Sequence, residues 1–466
     1  MNEKLGSTSS EGSRMNTNGS AVAGDIATAV SSPGDARTQS WPLRIKVVIG
    51  LSVTLLVFYI GAWLLLVNYA SGPESFVRQL GFGPTLVGAV MVREGNGARL
   101  YDARAQREVQ RRVLEPYVSR EELLPFNHPP FEALILAPII GLPYPVLFAL
   151  WTLGSVVMLA AALTVMSAAL PMARPLRWAV SLAACSYLPF SQSLLMGQTS
   201  AFVLEGLCGT YAALRTGHRG WAGLSLLLVA LKPQFLPVVI LLLVLQRHWR
   251  TLVVFASCST VATVLVMPIL GAAWPLAYLR LLLSPTQLNN TQIHPEVMHN
   301  WRGFAVNILG DTASGLVVPV FAGLSIASLS VMLFAWWRSD AQQHSFEIDS
   351  MAWPPAHDLL WALTGIVAVL VSPHLMPHDL TLLVLPGWII VAYATSGVWS
   401  RRVSGISLLL LWIGYAAYPL GFVAPASLQV IPSVLLMAFA SILLGRQIAA
   451  SRRTPARLAF AERTIR

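Results

Sequence analysis

From residue 131 to residue 446 the chain alternates between apolar runs and short turns. The runs fall at about 131–168, 177–194, 199–214, 221–232, 235–246, 250–271, 314–336, 357–373, 379–395, 404–422 and 427–446, and another, 47–67, precedes them. A helix needs about twenty apolar residues to cross roughly 30 Å of hydrocarbon, and inside a bilayer the backbone must satisfy its own polar groups. Hydrophobic residues make up 55% of the 466 and charged residues 11%, where ordinary soluble domains carry about 25% charged. The sequence therefore predicts an all-α polytopic membrane protein, a bundle of about twelve transmembrane helices. The net charge of +10 resides largely in short turns and a basic tail. That pattern marks membrane orientation rather than nucleic-acid binding. Cys185, Cys208 and Cys258 all lie in apolar runs and suggest neither a disulfide framework nor a thiolate metal site.

Three regions follow. Residues 1–40 are rich in Ser, Gly, Thr, Asn and Ala and read as a disordered cytoplasmic tail. Residues 41–446 form the transmembrane domain, and 447–466 a basic cytoplasmic tail. The run 47–67 follows Arg37, Arg44 and Lys46 and reads as a signal anchor. After it, 68–127 reads as a long extracytoplasmic first loop. The run 131–168 is too long for one span, and Pro138, Gly141, Pro143 and Pro145 divide it into a short dip and a full crossing. The runs 221–232 and 235–246 are each too short. They form either a shallow hairpin or one long tilted helix.

Arginines at 174, 177, 215, 219, 247, 250, 338, 401, 402 and 446 occupy every second connection, while the turns near Gly197, Pro373 and Ala424 carry none. Cytoplasmic loops hold the Lys and Arg excess, so both termini are expected in the cytoplasm. On that count Glu74, Asp102, His128, Gln198, Lys232, Arg302, His374, His378 and Asp379 all map to the outer side. A transporter would place such groups at the midplane, on broken helices in matching halves. A polar rim on one face suits a membrane-embedded enzyme.

Lys232, followed by Pro233 and Gln234, is the only Lys after Lys46 and sits between two strongly apolar runs. An ionisable group at membrane depth marks a site unless it snorkels to an interface. His374 and His378 are four apart, but Pro377 disfavours helix across the interval, so a metal pair is weakly supported. Hydrogen bonding to a phosphate or sugar is the better reading. Glu132, just inside an apolar run after Pro129 and Pro130, needs a partner, and His128 is the candidate. Gln198 sits in a tight turn where its amide either contacts a ligand or merely caps a helical hairpin. Arg302, beside Trp301, offers a planar fork suited to phosphate oxygens. The chain has no Gly-rich phosphate loop, no Gly-x-Ser-x-Gly and no His-Glu-x-x-His.

The blocks Met91 to Gly95, Ala98 to Asp102 with Gln106, Asn127 to Glu132, Gly197 and Gln198, Lys232 to Gln234, and Ser372 to Asp379 resemble, in order, those of glycosyltransferase family 87. The similarity runs from about residue 45 to 445. It implies a GT-C architecture and a polyprenyl-phosphate-linked hexose, typically mannose, as donor. The acceptor is then a glycan or glycolipid outside the cytoplasm, the location the plasma (inner) membrane of a bacterium, and neither metal nor cofactor is expected. The resemblance implies inversion by a single displacement, with a carboxylate base on the outer loop and Lys232, Arg302, His374 and His378 near the departing phosphate. His128, Glu132, Gln198, Gln234 and Asp379 complete the expected binding set. One departure matters: where the family carries an Asp-Phe pair this chain has Gly81 and Phe82. Either Glu74 or Asp102 supplies the base, or the chain is a catalytically silent member that binds a lipid-linked sugar. A lipid-linked sugar flippase is the remaining alternative.

Overall fold

The computed structural model describes residues 81–114, 123–170, 172–284, 295–343, 355–396, 399–420 and 433–446, with a few isolated positions besides. Both expected tails, most of the run 47–67, and Glu74 lie outside the described residues. Among those residues every element is helical. Helices α1 (Phe82–Arg93), α2 (Ala103–Leu114) and α3 (Phe131–Leu136) come first. They are followed by α4 (Tyr144–Ala169), α5 (Arg174–Ser186), α6 (Leu188–Met196), α7 (Ser200–Arg215), α8 (Arg219–Val229), α9 (Leu236–Leu245) and α10 (Trp249–Leu270). After these come α11 (Trp274–Leu282), α12 (Trp301–Leu309), α13 (Val317–Gln343), α14 (Pro355–Val371), α15 (Val384–Thr395) and α16 (Arg401–Leu420).

Among the described residues four helices are long and apolar enough to cross a bilayer: Tyr144–Ala169, Trp249–Leu270, Ala313–Ser339 and Pro377–Thr395. The pair α5 and α6, bent by 47° at Tyr187, makes a fifth if counted as one span. The bend has a local cause, because Pro189 at the start of α6 holds the residues before it out of a continuous helix. Other apolar helices, such as Phe82–Arg93, Arg219–Val229 and Ala356–Val371, are shorter. The apolar window of α10 has no buried residue, whereas that of Pro377–Thr395 is mostly buried. The outward side chains of α10, among them Val253, Val261, Val264 and Leu265, thus form the kind of continuous apolar surface that only lipid or a partner covers.

The break expected from the prolines near 138–145 is present: α3 ends in a 3-10 turn, Ala137–Ile139, and α4 starts afresh after Pro143. The choice left open for 221–246 is also decided. Thr251 Oγ1, at the start of α10, donates to the Arg219 carbonyl at the start of α8 at 3.0 Å. A single helix from 219 to 245 would carry its far end about 40 Å away, and α10 begins only four residues after that end. The segment is therefore a hairpin, with Lys232 at its tip. Each arm is about 16 Å long.

Helix α7 runs through the middle of the principal core, which gathers α4 to α9 with α14, α15 and α16. Its Ser200 end meets Lys232 and Asp379, while its Arg215 end meets Asp358 of α14. The two ends are about 22 Å apart. Asp358 is buried and accepts from Arg215 Nε (3.1 Å), Tyr211 Oη (2.6 Å) and Tyr393 Oη (2.7 Å). Arg219 and the start of α10 lie at this same end, opposite Lys232.

A second core joins α1, α2 and α3 to the first turns of α4 and the end of α10. Part of the stretch 68–127, which reads as a polar loop, is therefore packed: most of α1, from Phe82 to Met91, is buried. Helix α2 is amphipathic, turning Ala105, Gln106, Val109, Gln110 and Leu114 inward and Arg107, Arg111 and Arg112 outward.

Candidate functional site

Two proline breaks set up the first half of the site. Pro233 disfavours helical backbone at the residue before it, so Lys232 sits at φ −124°, ψ 82° and leaves the helix at the hairpin tip. Pro377 does the same to Met376, held extended at φ −93°, ψ 160°, before a 3-10 helix, Pro377–Leu383. Asp379 lies in the first turn of that helix, and its Oδ2 accepts from Met376 N at 3.2 Å. The helix thus starts after His374, and the two imidazoles do not share one helical face.

Lys232 and Asp379, both buried, form an ion pair. The Lys232 ammonium also donates to Ser200 Oγ at 3.1 Å and, at the long distance of 3.4 Å, to Gln198 Oε1. Ser200 in turn donates to Asp379 Oδ1 at 2.9 Å. All three ammonium hydrogens therefore meet protein acceptors. Unpartnered capacity lies instead on His374 Nδ1 and His378 Nδ1, both buried without a hydrogen bond among the described residues. Burial pushes the His374 imidazole down to about 4, against the pull of Asp379. It is a neutral hydrogen-bonding group at physiological pH, not a cation. Gln234 reaches the His374 carbonyl at 3.5 Å, and Arg302 Nη1 donates to the Pro373 carbonyl at 3.2 Å. Asn300, the N-cap of α12, binds Gly303 N at 2.9 Å and donates to the Ser372 carbonyl at 2.7 Å, anchoring the histidine loop.

The second half comes from the other core. Glu132 is buried in the first turn of α3, with Oε2 facing His128 Nδ1 at 2.8 Å and accepting from Thr85 Oγ1 of α1 at 3.2 Å. Its Oε1 has no hydrogen-bond partner among the described residues. His128 stacks on Phe126, and its carbonyl accepts from Tyr101 Oη at 3.1 Å. Gln106 pins the segment by binding both N and O of Phe126. Tyr278 of α11 closes the wall against Tyr101, with ring centroids 5.2 Å apart.

Gly81 joins the halves. Its N donates to the Met196 carbonyl at 3.1 Å, and its carbonyl accepts from Thr85 Oγ1 at 3.4 Å. A Cβ there would lie 2.7 Å from both Gln198 Cδ and the Met196 carbonyl. Beside it Gly197 closes α6 at φ +66°, with no room for a Cβ against Phe82. His128 is within electrostatic reach of His374 and His378. Gly81→Ala is accordingly expected to destabilise by about 1–3 kcal/mol through overpacking, read as a lower unfolding midpoint in detergent. Gly81→Asp should cost at least as much.

Of the residues singled out from sequence, the structure brings His128, Glu132, Gln198, Lys232, Gln234, Arg302, His374, His378 and Asp379 to this one end. It does not bring Asp102 there. Asp102 Oδ1 caps α2 by accepting from Ala105 N at 2.8 Å, faces Arg99 at 3.7 Å and is about half exposed. Thr85 and Ser200 are the members that sequence reasoning passed over. The arrangement offers a buried carboxylate oxygen in one half and two imidazoles with a guanidinium in the other, suited to taking a proton on one wall and binding an anion on the other.

A family model described as Glycosyltransferase family 87 matches residues 126–373, rather more than half of the chain. The match takes in His128, Glu132, Gln198, Lys232 and Arg302. No curated protein and no solved structure matches.

Proposed function

The chain belongs to glycosyltransferase family 87, and from that premise we propose that this membrane glycosyltransferase moves a hexose, mannose foremost, from a polyprenyl-phosphate donor to a glycan or glycolipid acceptor. In this reading about twelve spans make a GT-C-like bundle in a bacterial inner membrane. Both termini are cytoplasmic, and the Lys232 end of α7 faces outward. The observation that carries it is the gathering of His128, Glu132, Gln198, Lys232, His374, His378 and Asp379, from turns far apart in sequence, at one end of a lipid-facing bundle.

The donor phosphate lies against Arg302, His374 and His378, where the imidazoles donate hydrogen bonds and the guanidinium supplies charge. Lys232 acts by holding Gln198, Ser200 and Asp379 in place, since its own donors are engaged. The single displacement inverts the anomeric carbon.

Membranes supplied with radiolabelled polyprenyl-phosphate mannose should transfer label to an endogenous acceptor. Activity should be lost in His378→Ala. A panel of other lipid-linked hexoses tests the sugar. Lipid that crosses liposomes without a new glycosidic bond would assign a flippase instead. Single cysteines at positions 198 and 374 should react with a membrane-impermeant reagent from outside, and one at 217 only after lysis. Opposite sidedness of 198 and 374 would dismantle the shared site.

A further inference from the structure

A glycosyl transfer of this kind requires a group that takes the acceptor proton, and the described carboxylates differ sharply in fitness for that task. Both oxygens of Asp379 are engaged, Oδ1 by Lys232 and Ser200, Oδ2 by the Met376 amide. Asp358 is bound by Arg215, Tyr211 and Tyr393 at the far end of α7. Asp102 caps α2 through Oδ1 and is about half exposed, so its carboxylate is solvated rather than held in a buried site. Glu205 also carries a buried oxygen, Oε2, without a hydrogen-bond partner among the described residues, but it lies on the α7 face against α8, beside Gly209 and more than one helical turn from Ser200.

Glu132 alone among these combines the right place with a spare oxygen. Its Oε2 is fixed by two side chains while Oε1 is buried and unpartnered. The single Thr85 hydroxyl hydrogen lies between Oε2 and the Gly81 carbonyl, and Gly81 abuts Gln198 of the lysine cluster. A buried carboxylate oxygen left without a partner costs free energy, so its retention next to His128, which itself lies within electrostatic reach of His374 and His378, is functionally informative. The carboxylate, its orienting His128 and the open oxygen form the base-plus-orienter geometry of acid–base sites.

We propose that Glu132 Oε1 is the general base of the transfer, an inference that rests on the transferase reading above. The acceptor hydroxyl gives its proton to Oε1 as its oxygen lone pair forms the new bond to the anomeric carbon. The bond from that carbon to the phosphate oxygen breaks, and its electron pair leaves with the polyprenyl phosphate, which departs beside Arg302 and the histidines. His128, donating from Nδ1 to Oε2, keeps Oε1 turned toward the acceptor, and the proton on Glu132 then passes to water. His128 is a positioning residue in this step.

Glu132→Gln keeps the shape and removes the base. With polyprenyl-phosphate mannose and wild-type acceptor membranes, its turnover should fall about 10²-fold or more. Equilibrium binding of the radiolabelled donor without acceptor should stay within about threefold of wild type. Glu132→Asp retains the carboxylate and should keep measurable turnover with an acid limb in its pH profile, which also serves if the Gln variant does not fold. Wild-type transfer with an equally active Gln variant overturns the base assignment alone, as does a Gln variant that loses donor binding along with turnover. A wild-type protein inactive with every lipid-linked hexose overturns the transferase reading, and this inference with it.

Discussion

Lys232→Met is expected to abolish transfer and to lower stability by about 3–5 kcal/mol, the usual cost of removing one partner from a buried ion pair. The reason is the accounting of hydrogen bonds at the hairpin tip. Without the ammonium, Asp379 keeps Ser200 and the Met376 amide but loses its counter-charge, and Gln198 Oε1 loses its donor. The double variant Lys232→Met with Asp379→Leu removes both charges and should recover most of the unfolding midpoint, because apolar replacements of buried pairs are often neutral or stabilising. It should not recover transfer. Thermal unfolding in detergent beside the transfer assay separates the two effects. A Lys232→Met protein as stable as wild type would show that the pair contributes nothing to the fold.

Asp358→Ala should be similarly damaging to stability, toward the lower end of that range because Arg215 is partly exposed. The change strands Tyr211 and Tyr393 hydroxyls and the Arg215 guanidinium together. Here the expected outcome for activity is the opposite of that at Lys232. About 22 Å of α7 separate the two pairs, so the protein that remains folded should keep its turnover number. The comparison is made on monodisperse protein at a temperature below the variant's unfolding midpoint. A folded Asp358→Ala protein with strongly reduced turnover would mean that the two ends of α7 are coupled.

The polar half of the site around Lys232 is legible in sequence because isolated ionisable groups in apolar surroundings stand out, and Pro233 and Pro377 announce where helices stop. The pairing of His128 with Glu132 is legible too, being local. The long-range contacts that build each half are not. Thr85 and Glu132 are 47 residues apart, and Ser200 and Asp379 are 179 apart, with no periodic pattern connecting either pair. The local role of Asp102 is hidden in sequence for a physical reason: a carboxylate opening a helix and one poised for catalysis look alike until the amide it accepts from, Ala105 N, is seen. Helix α1 escapes notice because Gly83, Pro84, Thr85 and Gly88 dilute its apolar character, although close packing on Phe126 and Ala133 buries it. The hairpin at Lys232 needed a tertiary contact to distinguish it from a straight helix, since both share the same hydropathy profile.

The brevity of the central helices has a consequence for the depth of the site. With sixteen residues in α7 and seventeen in α14, the protein's interior is about 24–26 Å tall where the oily layer averages about 30 Å. The helix that faces lipid, α10, is longer, about 33 Å for its twenty-two residues, so the bilayer meets a wall of ordinary height and need not thin around it. The shortfall is confined to the interior: the two ends of α7, with the Lys232 cluster at one of them, are recessed relative to a layer of about 30 Å and are reached by whatever water enters the bundle from either face.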